Sequence, residues 1–292
     1  MANEAYNPFY LRNGSMASNP VALVNACFDD PNVGVYHLME NHFEPWLSYI
    51  GRPDLAELAS QARTGNELKN DRQKLDWFLE RSCFERRQSI NSGFDYLLHL
   101  PHGRTSGNMP LILFLHGVSE RGSDLSLLLR DGLPARVARD PDFPFILVAP
   151  QCPNKSYWNP QVDALDLLLE EVVSSLPVER QRIYLTGLSM GGGGAWLLAG
   201  QHPEWFAALV PICGAGNPNL ADKIKDIPTW VFHGAKDTKV SVDYSEDMVR
   251  ALQLAGGNVK FTVYPEAGHD SWTQTYANPQ LYAWLLSNRK KN

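Results

Sequence analysis

The segment Ile183-Tyr184-Leu185-Thr186-Gly187-Leu188-Ser189-Met190-Gly191-Gly192-Gly193-Gly194 carries the reading on which the fold turns. An apolar, β-rich run leads into a Gly-x-Ser-x-Gly signature formed by Gly187, Ser189 and Gly191. Gly191 to Gly200, just beyond, reads as a helix. A serine held between a strand and a helix sits on a tight, strained turn. Side chains two residues away on either side would collide there, so glycine is required. The turn pushes the hydroxyl out of the sheet, and the N-terminus of the following helix favours negative charge beside it. The plain alternative is a glycine-rich turn with an incidental serine. A phosphate-binding loop is disfavoured, because no Gly-Lys-Ser/Thr ending is present.

Outward from this segment, β-rich runs alternate with helical patterns. Strands are predicted at Phe94 to Leu100, Pro110 to His116, Phe145 to Ala149, Ile183 to Gly187, Ala208 to Ile212, Thr229 to His233 and Val259 to Tyr264. Runs such as Leu111-Ile112-Leu113-Phe114-Leu115 are apolar throughout, which suits strands covered on both faces. Helices are predicted at Ala164 to Leu176, Gly191 to Gly200, Val242 to Ala255 and Pro279 to Asn288. Leu165, Leu168, Leu169 and Val172 give the first of these a single apolar face. The alternation predicts an α/β class: a mostly parallel, doubly wound sheet flanked by helices. Only fifteen residues, Gly214 to Pro228, separate Cys213 from Thr229, too few for a large cap insertion there. The expected division is a largely helical or irregular N-terminal extension over 1–88 and a catalytic domain over 89–292. Within the extension, Pro53 to Ala62 and Glu67 to Arg81 read as helices. The extension would pack structurally, act as a lid or mediate self-association into a homo-oligomer.

A serine hydroxyl needs an adjacent base to act as a nucleophile near neutral pH, and histidine has the suitable proton affinity. His269 follows the last predicted strand, in Pro265-Glu266-Ala267-Gly268-His269-Asp270-Ser271-Trp272, and is the expected base. Asp237, in Gly234-Ala235-Lys236-Asp237-Thr238, is expected to fix the imidazole tautomer and stabilise its protonated form. Asp243 and Asp247 fall at or inside the next helix, where a solvated role fits better. The order Ser189, Asp237, His269 is the one associated with a nucleophile on such a strand-to-helix turn. The oxyanion of an acyl-transfer intermediate needs preorganised N–H donors. Met190 supplies one backbone donor, and the loop His116-Gly117-Val118-Ser119-Glu120-Arg121-Gly122 supplies the other, assigned to Val118. His116 would brace that loop. Trp158 and Trp272 are candidates for the substrate pocket, with core packing as the plain alternative for each.

Composition narrows the partners. Among 292 residues, 26 Lys and Arg face 32 Asp and Glu, a net charge of −6. With no basic stripe, a nucleic-acid partner is disfavoured. Arg289-Lys290-Lys291 reads as a solvated helix end. The four cysteines, Cys27, Cys83, Cys152 and Cys213, form no CxxC pair, so neither a zinc site nor a disulfide framework is indicated. His37 and His42 are five apart, not four, which disfavours a zinc-peptidase helix. Met1 to Asn7 shows no signal-peptide pattern, and no apolar run is long enough to span a bilayer. A cytoplasmic protein is expected.

Five blocks together resemble a known group: Leu115 to Gly122, Ala149 to Pro153, Gly187 to Gly192, Phe232 to Asp237 and Gly268 to Trp272. They are similar to serine esterases of the α/β-hydrolase superfamily, near dienelactone hydrolase, the phospholipase/carboxylesterase group and feruloyl esterases. The resemblance covers about residues 90 to 290 and implies the α/β-hydrolase fold. It also implies carboxylic-ester hydrolysis of a small-molecule substrate without a metal or organic cofactor. Dienelactone hydrolase itself uses a cysteine nucleophile; Ser189 stands in that place here. A serine peptidase or thioesterase shares this residue set, and a non-catalytic ligand-binding relative would share the fold.

Overall fold

The computed structural model describes residues 7–101 and 107–290, which form two compact units. Met1 to Tyr6, on which most of the reading of the N-terminus rests, and Lys291 of the terminal basic cluster lie outside the described residues.

The first unit takes the chain to Glu85 and adds Val137–Phe143. A two-strand ladder, β1 (Phe9–Tyr10) with β2 (Met16–Ala17), precedes five helices. These are α1 (Pro20–Asp29), α2 (Pro31–Met39), α3 (Phe43–Tyr49), α4 (Pro53–Thr64) and α5 (Asp71–Arg81). Their starts follow from short-range chemistry. Asn19 and Asp30 accept from Ala22 and Val33 N–H, with proline at the next position, so two otherwise orphaned donors are capped. Glu67 to Asn70 stays out of the predicted second helix because the Asn70 side chain caps α5 by accepting from Gln73 N–H. Leu23, Leu47, Leu75 and Phe78 are fully enclosed in one apolar cluster, each contributing about 1.5–3 kcal/mol by burial. The Val137–Phe143 segment is tied in by polar contacts. Asn25 donates to Arg139 O, the Cys83 thiol to Ala138 O, and Arg52 pairs with Asp142.

The second unit is built on an eight-stranded sheet in the order β10-β9-β8-β7-β5-β6-β4-β3. Its strands are β3 (Glu85–Gln88), β4 (Asp95–His99), β5 (Met109–Leu115), β6 (Ile146–Pro150), β7 (Val178–Leu188), β8 (Ala208–Ile212), β9 (Thr229–Gly234) and β10 (Val259–Tyr264). From β6 through β10 every pairing is parallel, and β4 runs antiparallel to β6. All of β5, β6 and β8 is buried, as continuous apolar runs require. The helices are α6 (Gly132–Val137), α7 (Val162–Ser175), α8 (Met190–Gln201), α9 (Ala221–Ile224), α10 (Asp243–Leu254), α11 (Trp272–Ala277) and α12 (Pro279–Ser287). Only the four-residue α9 and a 3-10 turn lie between β8 and β9, so no cap is inserted there. Strand β7 begins five residues earlier than its apolar run, because Val178 pairs with Met109 ahead of the polar Glu179 to Arg182 stretch. Registers Leu115↔Gly187 and Leu188↔Ile212 put the carboxyl ends of β5, β7 and β8 level. Parallel α/β sheets bind ligands outside that edge.

Candidate active site

Ser189 links β7 directly to α8 with φ 53° and ψ −116°, a left-handed conformation costly for a residue with a side chain. The surroundings hold it there. Ser189 N–H donates to Ile212 O at 2.9 Å, and Gly193 N–H donates to Ser189 O at 3.1 Å. A Cβ at Gly191 would run into Leu115 O, and one at Gly187 into Gly191 O. The signature glycines are therefore set by close approach of three backbones, as the motif demands.

His269 lies five residues beyond β10, and Asp237 three beyond β9. Their loops are laced together, since Lys236 N–H donates to Ala267 O and Ala235 N–H to Tyr264 O, both at 2.9 Å. The side chains of all three predicted residues meet. His269 Nε2 is 2.9 Å from Ser189 Oγ, and His269 Nδ1 is 2.7 Å from Asp237 Oδ2. The Asp237 side chain is fully enclosed, and burial alone would raise its carboxyl. The His269 contact and the amides of Val240 and Lys239 outweigh burial, holding it below the usual carboxylate range. Those two amides donate to Oδ1 at 3.0 and 2.8 Å, leaving Oδ2 for the imidazole.

Sequence reasoning passed over His233, which stands directly behind the acid. Its side chain is fully buried, with Nε2 2.9 Å from Val240 O and 3.2 Å from Asp237 Oδ2. With two acceptors at Nε2, that nitrogen carries the proton. Nδ1 then accepts from Ser245 Oγ at 2.7 Å. His233 thus steadies the carboxylate. Its place at the end of a strand gave no hint of this.

The two proposed oxyanion donors occupy first positions of helical turns: Met190 opens α8, and Val118 opens a 3-10 turn over Val118–Glu120. Amides at such positions have no intrahelical acceptor. The Val118 loop is braced from the Gln151-to-Trp158 side. His116 Nε2 accepts from Cys152 N–H at 2.9 Å, and Trp158 Nε1 donates to His116 O at 3.0 Å. Gln151 Nε2 donates to the carbonyls of Glu120 and Asp124. Because Nε2 accepts, His116 is neutral with its proton on Nδ1, aimed at Gly117 O at 2.6 Å.

Burial, chiefly, lowers the His116 pKa from 6.5 to about 4. Between those values the unfolded chain binds the proton and the folded one does not, so stability falls as pH drops through that window. The expected loss is about 3 kcal/mol between pH 6.5 and 4. Urea unfolding of wild type and of His116→Gln at several pH values checks this. The stability difference between the two should shrink by that amount on acidification, and a pH-independent difference would refute it.

A cavity of about 430 Å³ opens beside Ser189, lined among others by Tyr157, Trp158, Met190, Trp196 and Leu220. Trp158, 1% exposed, therefore both lines the cavity and braces the loop. Trp272 instead stands edge-on to the imidazole, ring centroids 5.4 Å apart, and donates Nε1–H to Asp131 at 2.6 Å. Ligating atoms of Cys213, Asp237 and His269 lie within 4.8 Å of one another. Burial pushes the Cys213 thiol up to about 12, and the other two residues are bonded to each other. That set is poorly prepared to ligate a metal, which takes thiolate and a free imidazole nitrogen.

The mostly parallel sheet flanked by helices is the α/β-hydrolase fold, shared with solved esterase structures. Residues 157–281 match the dienelactone hydrolase family model. A Yersinia pestis protein named as a carboxymethylenebutenolidase is 32% identical over 100 residues, 31% of this chain and 38% of its own. The chain thus spans well under two thirds of that relative. The crystal structure of a thermostable esterase is 32% identical with a TM-score of 0.62, covering 71% of this chain and 63% of that one. A dienelactone hydrolase structure from Klebsiella pneumoniae shares the fold at 19% identity and a TM-score of 0.55, covering 70% and 97%. Among the described residues no helix is long and apolar enough to cross a membrane.

Proposed function

We propose that the chain is a serine carboxylic-ester hydrolase in which Ser189, His269 and Asp237 act as nucleophile, base and orienting acid. The observation that carries this reading is the unbroken hydrogen-bond line from the Ser189 hydroxyl through both imidazole nitrogens to an enclosed carboxylate. Asp237 holds the proton on Nδ1, so Nε2 is free to take the serine proton. Oγ bonds to the ester carbonyl carbon, and its proton passes to Nε2. The carbonyl oxygen becomes an oxyanion between the Met190 and Val118 amides. Collapse breaks the bond to the alkoxide, which leaves with the proton from Nε2. Water, deprotonated by His269, then attacks the acyl-enzyme, releasing the acid and restoring the serine. Every step uses this chain's own groups. The substrate is a small-molecule ester, and the chemistry is assigned to 89–292, with 1–88 as an extension. Four buried, free cysteines suit a reducing compartment and support a cytoplasmic location.

A fluorophosphonate probe is expected to form one covalent adduct, on the peptide bearing Ser189, detected by mass spectrometry. A folded protein that stays unlabelled would instead be a ligand-binding relative without chemistry.

A further inference from the structure

We infer that Trp196 selects the substrate. Its indole N–H donates a hydrogen bond to an acceptor oxygen on the acyl or alkoxy arm of the ester, about two helical turns from the reacting carbonyl. This deepens the ester-hydrolase reading and rests on it.

Trp158, Trp205, Trp230 and Trp272 each give their indole N–H to a protein oxygen. Trp196 does not. The residue is 1% exposed, and its Nε1 is buried without a hydrogen-bond partner. Such a donor is expensive to leave unmade, and a bound acceptor relieves it. Trp196 also lines the cavity that holds Ser189. It follows Ser189 by seven residues, nearly two full turns of α8, so both project on one face, roughly 10 Å apart along the axis. Helical side chains lean toward the N-terminus, which shortens the reach from the nucleophile. The pyrrole edge faces Gly216, another cavity residue, where an added Cβ would stand 2.9 Å from Trp196 Cδ1. Met248 packs against the same spot and Nε1 itself is enclosed, so a bound acceptor reaches it by displacing the flexible Met248 side chain. Leu197, Leu220 and Val240 supply apolar wall on the way, suited to a hydrocarbon arm. The substrate class is therefore an ester whose arm is mostly apolar and carries an ether, carbonyl or hydroxyl oxygen near its far end.

Matched esters test this. One pair is p-nitrophenyl ω-methoxyhexanoate with its all-carbon isostere, the octanoate. The other pair is ω-methoxyhexyl acetate with octyl acetate. In one pair, Trp196→Phe is expected to lower the kcat/KM ratio of oxygenated to all-carbon ester about tenfold. A ratio unchanged in both pairs overturns the inference and leaves ester hydrolysis standing. The wild-type protein supplies a check that needs no variant. Exchanging the distal oxygen for sulfur, a weak acceptor, should cut kcat/KM about fivefold, and equal rates in both pairs would equally overturn it. If wild type cleaves none of these esters and Ser189 takes no fluorophosphonate, the hydrolase reading fails and this inference with it.

Discussion

Replacing Ser189 by alanine is expected to cut the hydrolysis of p-nitrophenyl acetate by about a millionfold. The variant keeps the base, the acid and both amide donors, so all it loses is the atom that bonds to carbon. His269 Nε2 then faces a methyl group across a gap, with no proton to remove. Residual turnover about a thousandfold above water comes from the Met190 and Val118 amides and from binding alone. The fold has no stake in the hydroxyl, since the bond recorded for Oγ is the one to His269. Circular dichroism and the melting curve should therefore match wild type. A folded variant retaining a tenth of the wild-type rate would show that another group is the nucleophile.

The second large effect is expected of Asp237→Asn, a loss in kcat of about ten-thousandfold. The geometry explains why so small a change costs so much. Oδ1 is claimed by the Lys239 and Val240 amides, which can bond only to an acceptor. The asparagine carbonyl must therefore take that position, and its NH2 group must face His269 Nδ1. A donor there forces the proton of the neutral imidazole onto Nε2, which can then no longer accept from Ser189. Raising the pH does not rescue it, because the fault lies in the tautomer and not in the total protonation. A variant within tenfold of wild type across the pH range would refute the assigned role.

The meeting of Ser189, His269 and Asp237, proposed as nucleophile, base and acid, was legible because each position leaves a local trace in sequence: glycines two residues either side of Ser189, a strand end before Asp237, a loop after the last strand for His269. The central strands β5, β6 and β8 were legible because burial on both faces leaves nothing but apolar residues, whereas the polar edge strand β3, Glu85-Arg86-Arg87-Gln88, gave no such signal. The first unit was harder to read. Helices α1 to α3 are seven to ten residues long, α1 and α2 carry Asn or Asp and α3 a Pro, so no helical period develops. Their cap-and-proline starts at Asn19-Pro20 and Asp30-Pro31 were the available signal. His233 and Trp196 were hidden for a different reason. Their roles depend on what stands across from them after folding: Asp237 and Val240 for the first, a cavity for the second. Nothing adjacent in the chain reports either neighbour.

His269, the proposed base, enters the chain 80 residues after Ser189 and follows the edge strand β10. Translation at about 5–20 residues per second puts several seconds between the two. Throughout that interval a nascent polypeptide carries Ser189 without its proposed base. His269 lies five residues beyond β10, so its place beside Ser189 depends on the pairing of β10 with β9. On the proposed mechanism, a chain that ends before residue 269 is expected to be inert toward esters.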